Sequence, residues 1–277
     1  MIILDEVISS RNNPTVKWAA SLSDKKGRDA EKAFIVEGKK LVFEALDNFL
    51  PVKHIFVAES KKDLYFPEIM RFFKEKFYDG TKISVLSDSA FEKISTEKAP
   101  QGIISVIKYL DFFRELDIIY KEDFFLKSSE RAIILSSLRD PGNLGSVIRS
   151  AVAFGAEHII LSKDSADIYN PKTVRAAMGS LFKVKVSYVS DLVSLVASAK
   201  ENGRRVFAAE LSESAVSLSS LKLLPSDIFI IGNEGHGISK EISSAATKSV
   251  YIPISASTES LNAAVAAGIF MWEQSKI

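Results

Sequence analysis

The chain of 277 residues contains no cysteine. This absence excludes a disulfide scaffold, a zinc site built from thiolates and a cysteine nucleophile. Histidine is also scarce, because only His54, His158 and His236 occur and they stand far apart in the sequence. Metal ions in proteins are usually held by clustered histidine, cysteine and carboxylate side chains. We therefore predict a protein that needs no metal.

Long apolar runs are missing as well. The longest runs have the length of a strand, whereas a membrane-spanning helix needs about 20 predominantly apolar residues in a row. The amino-terminal stretch MIILDEVISS carries acidic side chains and no basic segment, so it does not have the pattern of a signal peptide. We expect a cytoplasmic protein without a membrane partner.

The chain has little net charge, since 36 lysines and arginines stand against 35 aspartates and glutamates and leave +1 at pH 7. A protein that binds nucleic acid over its whole surface is far more basic, so if this chain binds RNA, it must do so through local patches and a specific site. Residues 9–32 offer one patch, where Asn13-Pro14 begins a helix whose cations either contact phosphates or form a solvated surface. The candidate RNA-binding residues of this patch, which surround Trp18, are Arg11, Lys17, Lys25, Lys26 and Arg28.

Strand and helix patterns alternate in the first part of the chain, and an apolar fraction of 47% allows two domains with separate cores. The predicted strands lie at 33–38, 54–59, 83–87 and 102–108, and the helices at 39–49, 67–77 and 88–95. This order predicts a small α/β domain over residues 1–108. Residues 109–130 mix charged and aromatic side chains without a strand period, and we predict a linker with a short amphipathic helix there. Its apolar side chains are expected to dock on a domain: Phe112, Phe113, Ile118, Ile119, Phe124 and Phe125.

The alternation returns over residues 131–277 and predicts a second α/β domain. Its predicted strands lie at 131–137, 158–162, 182–189, 205–210, 227–231 and 249–254, and its helices at 145–154, 171–179, 191–201, 239–246 and 260–275. Helical crossovers between short apolar strands predict a mainly parallel sheet that is covered on both faces. Open sheets of this kind bind ligands at the carboxyl ends of their strands.

One such strand end leads into the stretch LRDPGNLGSVIR, residues 138–149. Pro141, Gly142 and Gly145 favour a loop, and the amide of Asn143 can donate or accept a hydrogen bond. Arg149 follows about one turn into the helix, where its guanidinium suits a phosphate or a hydroxyl, although pairing with a surface carboxylate is the commoner role. Neither a GxGxxG fingerprint nor a P-loop is present, which disfavours nicotinamide and nucleoside-triphosphate enzymes.

Two further stretches lie near the carboxyl end. Residues 232–237 hold three glycines, which let the backbone wrap closely around a ligand, and Glu234 is a possible acceptor or a solvated turn residue. Residues 252–262 then lead into the last helix, for which we predict Ser257 or Thr258 as the cap and Glu259 in the first turn. Ser260 and Asn262, at the start of that helix, either point into a cleft or serve only as caps.

Together and in this order, the three stretches resemble the SpoU/TrmH family of S-adenosylmethionine-dependent RNA methyltransferases, part of the SPOUT superfamily. Asn143-x-Gly145-x-x-x-Arg149 is similar to the family's first motif, Gly232-x-Glu234-x-x-Gly237-Ile238 to its second, and Ile252-Pro253-Ile254 with Ser260-Leu261-Asn262 to its third. The resemblance covers residues 131–277. In the amino-terminal half, Phe34-Ile35-Val36-Glu37-Gly38 followed by Glu44-Ala45-Leu46 is similar to the substrate-binding domain of many members. Ala256 and Ala264 depart from the third motif, where the family usually has glycine and serine.

The resemblance implies a trefoil knot at the carboxyl end, a homodimer with its site near the subunit interface, and methylation of a ribose 2′-hydroxyl in structured RNA. Ribosomal RNA is the expected target. Transfer RNA, or a non-catalytic role in RNA binding or ribosome assembly on the same fold, is the alternative. The cofactor is S-adenosylmethionine, and no metal is needed because its sulfonium methyl is already activated.

The resemblance also implies the site residues. Arg149 is assigned to activation of the hydroxyl, with Asn143, Glu234, Ser260 and Asn262 holding Arg149 and the ribose in place. The implied cofactor-binding residues are Gly232, Asn233, Gly237, Ile252, Ile254 and Leu261. Because a guanidinium rarely gives up its proton, we expect Arg149 to anchor a phosphate and polarise the hydroxyl, while a substrate phosphate or water takes the proton.

Overall fold

The computed structural model of the protein describes residues 2–75, 80–110, 113–116 and 130–277, with backbone alone for 2–5, 75 and 113–116. The chain divides into two compact units. The first comprises Met1–Leu110 together with Tyr169–Phe182, and the second comprises Asp111–Ile168 together with Lys183–Ile277. Residues 169–182, which the sequence pattern groups with the second domain, therefore pack with the first unit.

The first unit is built on a five-stranded mixed sheet. Its strands are β1 (Ile2–Ile8), β2 (Ala33–Glu37), β3 (Val52–Ala58), β4 (Lys82–Leu86) and β5 (Ile103–Lys108), in the spatial order β1-β4-β3-β5-β2. Strands β1, β4 and β3 are parallel, whereas β5 runs antiparallel to both of its neighbours. The sequence pattern did not predict β1, in which an acidic pair interrupts the apolar residues.

Five helices complete this part of the first unit: α1 (Pro14–Ser21), α2 (Lys25–Glu31), α3 (Lys39–Asp47), α4 (Lys62–Glu75) and α5 (Asp88–Ile94). Helix α1 begins where Asn13-Pro14 predicts, because the Asn13 side chain accepts a hydrogen bond from the Thr15 N–H at 2.8 Å. Helix α4 begins five residues before the predicted start and contains Pro67 inside it. Helices α1 and α5 bury Val16, Phe91 and their apolar neighbours against the sheet.

The second unit is built on an eight-stranded sheet in which every described pairing is parallel, as the sequence predicts. Its strands are β6 (Phe113–Leu116), β7 (Ala132–Leu135), β8 (His158–Ser162), β9 (Lys185–Val189), β10 (Val206–Ala209), β11 (Val216–Ser217), β12 (Ile228–Ile231) and β13 (Lys248–Tyr251). The spatial order is β11-β13-β10-β12-β7-β8-β9-β6. The trefoil knot stays a prediction.

The remaining helices are α6 (Pro141–Ala153), α7 (Pro171–Ala177), α8 (Leu192–Glu201), α9 (Lys240–Ala245) and α10 (Ala263–Ser275), of which α7 packs within the first unit. Helix α8 buries Leu195 and Val196 against the strand residues Val206 and Ile228. Helix α10 packs against α6. In the described part of the chain, no helix is long and apolar enough to cross a membrane.

The predicted linker contains a strand, which corrects the sequence interpretation. Strand β6 pairs in parallel with β9, with Leu116 opposite Val189. Four residues are too few for an alternation to stand out against the mixed charges and aromatics around them. The predicted amphipathic helix and the docking of its aromatic side chains fall outside the residues whose side chains the structure describes.

Candidate active site

Helix α6 begins at Pro141, four residues earlier than the sequence predicts. Asp140 caps it, because its carboxylate accepts a hydrogen bond from the Asn143 N–H at 2.8 Å, and Pro141 occupies the first helical position. A Pro-Gly pair is typical of turns, but proline is equally at home in the first turn of a helix. Asn143 therefore lies in the first turn of a capped helix and not in a loop.

The chain closes a tight loop after strand β12. The backbones of Asn233 and Gly237 exchange two hydrogen bonds, of 3.0 and 2.9 Å. A side chain at Gly232 would collide with the Gly237 carbonyl group, because its Cβ would lie 2.4 Å from the carbonyl carbon. The Asn233 side chain accepts a hydrogen bond from the Gly235 N–H at 2.8 Å and donates one to the Ser137 carbonyl at 2.8 Å. Asn233 thus fixes the loop internally and ties it to the segment after β7.

Helix α10 begins three residues later than predicted, and Asn262 is its cap. The Asn262 Oδ1 accepts hydrogen bonds from the N–H groups of Ala264, at 2.9 Å, and Val265, at 3.3 Å. The prediction that Ser257 or Thr258 caps this helix, with the following glutamate in the first turn, is wrong. The amide of Asn262 reaches the free N–H groups directly, and the hydroxyl residues before it lie in the preceding loop.

Side-chain hydrogen bonds join all three sequence motifs. The Asn143 amide donates to a Glu234 carboxylate oxygen at 2.5 Å, and the Asn262 amide donates to Asn143 Oδ1 at 3.1 Å. The helix α10 cap fixes which end of the Asn262 amide is the acceptor, and this choice fixes the orientation of Asn143 in turn. The resulting chain of donors runs from α10 through α6 to the loop after β12 and ends on the carboxylate.

A cavity of about 690 Å³ lies at the carboxyl ends of strands β10, β12 and β13. This volume lies within the roughly 300–1,000 Å³ typical of small-molecule sites. Among its lining residues are all six predicted cofactor-binding residues and two of the predicted catalytic residues: Gly232, Asn233, Gly237, Ile252, Ile254, Leu261, Glu234 and Ser260. Ile231, Val250 and Phe270 contribute buried apolar surface. The structure therefore brings the second and third motifs together around one space.

Arg149 is exposed on helix α6 and does not line the cavity, and neither do Asn143 and Asn262. The Arg149 guanidinium makes no ion pair or hydrogen bond with any of the side chains that the structure describes. The common role of arginine, pairing with a surface carboxylate, is thus not found in this part of the molecule. Its guanidinium is available to a ligand.

Glu210 is a cavity residue that sequence reasoning missed. It follows directly after strand β10, and one of its carboxylate oxygens accepts hydrogen bonds from the hydroxyl groups of Ser243 and Ser249. The bond to Ser249 is 2.6 Å long. Its one sequence signal is an acidic residue at the carboxyl end of a parallel strand, and many surface acids share that signal.

Asp164 supports the segment after β7. Its carboxylate accepts hydrogen bonds from the hydroxyl groups of Ser137 and Ser162, both at 2.7 Å, and from Arg139 at 3.3 Å. Burial alone would raise the pKa of Asp164, but these hydrogen bonds outweigh it and hold the pKa below its usual value. Ser137 has a φ of 56°, a left-handed conformation that few side-chain-bearing residues adopt. The hydrogen bond to Asp164 helps to hold Ser137 in this conformation. It thereby stabilises the position of the Ser137 carbonyl, which accepts the hydrogen bond from Asn233.

The structure corrects one of the candidate RNA-binding residues. Arg28 is 2% exposed, and its guanidinium donates hydrogen bonds to the carbonyl groups of Leu22, at 3.0 Å, and Ser23, at 2.6 Å. A buried arginine that binds the end of helix α1 cannot reach a phosphate on the surface. The other candidates are exposed: Arg11, Lys17, Lys25 and Lys26.

Among the described residues, no three histidine, cysteine or carboxylate side chains cluster as a metal site requires. Comparison with family models matches residues 130–272 to the SpoU rRNA Methylase family and residues 13–105 to the MRM3-like substrate binding domain. Both matches agree with the resemblance that the motifs show.

Relatives match over nearly the whole chain. The 23S rRNA (guanosine(2553)-2′-O)-methyltransferase RlmP of Bacillus subtilis is 31% identical over 96% of this chain and 97% of its own. The 23S rRNA (uridine(2479)-2′-O)-methyltransferase of Streptomyces viridochromogenes is 28% identical over 96% of this chain and 90% of its own.

Solved structures match equally widely. The rRNA methyltransferase from Sinorhizobium meliloti is 27% identical and superposes with a TM-score of 0.83, over 100% of this chain and 98% of the other. The AdoMet-bound structure of rRNA methyltransferase from the same organism gives a TM-score of 0.83 and 27% identity, over 99% and 98%. These likenesses extend over both units of the chain.

Proposed function

The chain belongs to the SpoU rRNA methylase family, and from that premise we propose that it transfers a methyl group from S-adenosylmethionine to a ribose 2′-hydroxyl of ribosomal RNA. The observation that carries the proposal is the hydrogen-bonded chain of Asn262, Asn143 and Glu234 beside the cavity. Relatives named as 2′-O-methyltransferases of 23S rRNA support the same reaction.

The cavity fits S-adenosylmethionine in size and lining. Its apolar surface, from Ile231, Val250 and Phe270, suits an adenine ring, and its loops offer backbone N–H and C=O groups at Gly232, Ile252 and Leu261. Glu210 adds a carboxylate whose serine contacts hold one oxygen in place. When bound, the cofactor supplies a sulfonium methyl that is already activated for transfer. We assign Glu210 to the polar hydroxyl or ammonium groups of that molecule.

The hydrogen bonds support different roles for Glu234, Ser260 and Asn262 in this proposal. The amide oxygen of Asn262 caps helix α10 and its amide nitrogen donates a hydrogen bond to Asn143. We therefore assign Asn262 as a positioning residue. Glu234 and Ser260 line the cavity and are exposed, so they are the groups that contact substrate. Asn143 holds the Glu234 carboxylate in one orientation, which prepares it to accept a hydrogen bond from the ribose.

Arg149 binds a phosphate of the RNA and polarises the ribose hydroxyl. A guanidinium keeps its proton at neutral pH, so it serves as a fixed positive donor and not as the base. A phosphate of the substrate or a water molecule takes the hydroxyl proton. This role agrees with an exposed guanidinium that no described side chain binds.

The protein works as a cytoplasmic homodimer in this proposal. Val265 and Trp272, 51% and 48% exposed, stand seven residues apart on α10 and so share one side of that helix. An apolar stripe of this kind is typical of a subunit interface. Light scattering of the purified protein is expected to give twice the chain mass, and Trp272→Glu to give the monomer mass. If the wild-type protein has the mass of one chain at micromolar concentration, the proposed dimer is refuted.

A thermal-shift experiment with S-adenosylmethionine tests the proposed function first. A ligand that binds only the folded state raises the melting temperature, so saturating cofactor is expected to stabilise the protein. Primer-extension mapping of 2′-O-methyl sites in ribosomal RNA from a deletion strain then identifies the target, with transfer RNA mapped in parallel. Binding of RNA without any binding of the cofactor would instead identify a non-catalytic factor and contradict the proposal.

A further inference from the structure

A second cavity, of about 640 Å³, lies in the first unit at one end of its sheet. Strands β3 and β4 both begin at this end, and His54 on β3 pairs with Lys82 on β4. Strand β5 runs the other way and ends here, with Ile107 opposite Val52. This register brings lysines from three neighbouring strands to one edge of the cavity: Lys53, Lys82 and Lys108.

The charges around this cavity are mostly positive. Among its described lining residues, Glu31 is the one acidic group, and its carboxylate lies 3.7 Å from the Lys53 ammonium. Lys82 and Lys108 are exposed, and neither forms an ion pair with any acidic side chain in the described part of the chain. Two cations therefore remain for a negatively charged ligand.

Trp18 supplies an aromatic wall. Its half-buried ring lies 6.0 Å from the His54 ring and 6.4 Å from Phe56, measured between centroids, and the Lys53 ammonium lies 5.6 Å from the indole. His54 is buried and hydrogen-bonded to the Ser84 hydroxyl at 2.8 Å. Burial, and then the charge of Lys82, lower the pKa of His54 to about 4, so the lysines alone carry the positive charge at neutral pH.

We propose that this cavity binds an unpaired nucleotide of the RNA substrate, with Lys82 and Lys108 contacting phosphates and Trp18 contacting the base. Cations can neutralise the phosphates of any RNA, whereas an aromatic ring can stack only on a base that has left its own stack. The combination therefore favours single-stranded over duplex RNA. This inference rests on the proposed function, which makes RNA the substrate, and it assigns a recognition site that lies outside the cofactor cavity.

Trp18 itself reports on the ligand. The chain has two tryptophans, so the Trp272→Phe variant leaves Trp18 as the single indole. Titration with a single-stranded oligouridylate of about 12 nucleotides, within the usual range of single-strand binding sites, is expected to quench its fluorescence with saturation. A duplex of the same length is expected to quench it at least about tenfold less strongly at equal concentration. Unchanged Trp18 emission at saturating single strand would overturn the proposal.

Charge reversal tests the lysines. The double variant Lys82→Glu with Lys108→Glu is expected to bind the oligouridylate about tenfold more weakly than wild type or more so. Loss of two phosphate contacts is also expected to reduce the slope of log affinity against log salt by about 1.4, at about 0.7 for each contact. The matched control is Lys40→Glu on α3, an exposed lysine that does not line the cavity and should leave the affinity and the slope unchanged. If Lys40→Glu lowers the affinity and the salt slope as much as the double variant does, the proposal is overturned.

Failure of this inference is distinguishable from failure of the proposed function. If the double variant keeps wild-type affinity for the oligouridylate while the wild type methylates ribosomal RNA, only the nucleotide site is refuted. If the wild type neither binds S-adenosylmethionine nor methylates RNA, the proposed function is refuted, whatever Trp18 reports. Melting curves of each variant confirm that the exposed charge reversals leave the fold intact.

Discussion

Asn143 and Asn262 stand 119 positions apart in the chain, yet their side chains meet in a hydrogen bond of 3.1 Å. One lies in the first turn of α6 and the other caps α10, so the contact couples the starts of two helices that pack together. Because the cap fixes the Asn262 amide, the Asn143 amide has one orientation left, and it points its donor at Glu234. Helix capping and site geometry thus depend on the same residue.

Two substitutions of Asn262 separate its role as the cap of α10 from its hydrogen bond to Asn143. Asp is as good a cap as Asn, so Asn262→Asp is expected to keep the melting temperature, but its carboxylate cannot donate to Asn143. Asn262→Ala removes both interactions and is expected to cost about 1 kcal/mol of stability as well. Methyl transfer is expected to fall at least about tenfold in both variants, since one hydrogen bond of the chain is lost. Full activity in Asn262→Asp would show that the residue only caps the helix.

Arg149→Ala is expected to abolish methyl transfer and leave the affinity for S-adenosylmethionine within a few-fold of wild type. The reason is that Arg149 lies outside the cavity and that its proposed partners belong to the RNA. Calorimetry measures the cofactor affinity and tritium transfer measures the activity. Lys222→Ala, which removes an exposed cation of the same unit that does not line the cavity, is the control for loss of charge. Near-normal turnover in Arg149→Ala would refute its assignment.

Glu210→Gln is expected to weaken cofactor binding by roughly tenfold or more. A hydrogen bond to a charged group contributes about 1.5–3 kcal/mol, and the neutral amide loses that charge. The matched control is Glu213→Gln, an exposed acid three residues further on that does not line the cavity. Equal cofactor affinities in the two variants, measured by calorimetry, would remove Glu210 from the site.

Acid is expected to destabilise the protein through two buried histidines. Burial, and then the charge of Lys82, lower the pKa of His54 to about 4. Burial is also the main cause that lowers the pKa of His158 to about 4, against an ordinary value of 6.5 for both. The unfolded chain therefore binds protons that the folded chain does not, so stability is complete above about pH 6.5 and falls as the pH drops toward 4. Each histidine contributes on the order of 3 kcal/mol across this window.

Urea denaturation at about pH 7.5 and about pH 5 measures this effect. His158→Gln can keep a hydrogen bond to Ser187 without a titrating ring, so it is expected to reduce the pH dependence of the free energy of unfolding and leave the part that comes from His54. An unfolding free energy that does not change between the two pH values in wild type would contradict the account.

Much of the fold follows from the sequence alone. The parallel sheet of the second unit was predicted because its strands are short apolar runs separated by helical patterns. The loop over residues 232–237 was predicted from its three glycines, and the structure gives the reason for one of them, since a side chain at Gly232 would strike the Gly237 backbone. Local signals of this kind need no knowledge of the partner segments.

Other features depend on contacts that a local pattern does not contain. The burial of Arg28 results from the end of α1 folding onto its guanidinium, which the cationic pattern around it does not reveal. In the sequence, Glu210 does not differ from any other acidic residue that follows a strand. Only the structure shows that the hydroxyl groups of Ser243 and Ser249 donate hydrogen bonds to its carboxylate. The sequence interpretation placed Pro141 in a loop, whereas the Asp140 cap shows that Pro141 begins helix α6.

Transfer of label from tritiated S-adenosylmethionine to a 23S rRNA transcript tests the central claim most directly. With wild-type protein, label is expected in the RNA, at a nucleotide that resists alkaline cleavage because its 2′-hydroxyl is methylated. Arg149→Ala is expected to transfer none. Absence of label with the wild type, on both the ribosomal transcript and unmodified transfer RNA, or label that resides on a base, would contradict the account.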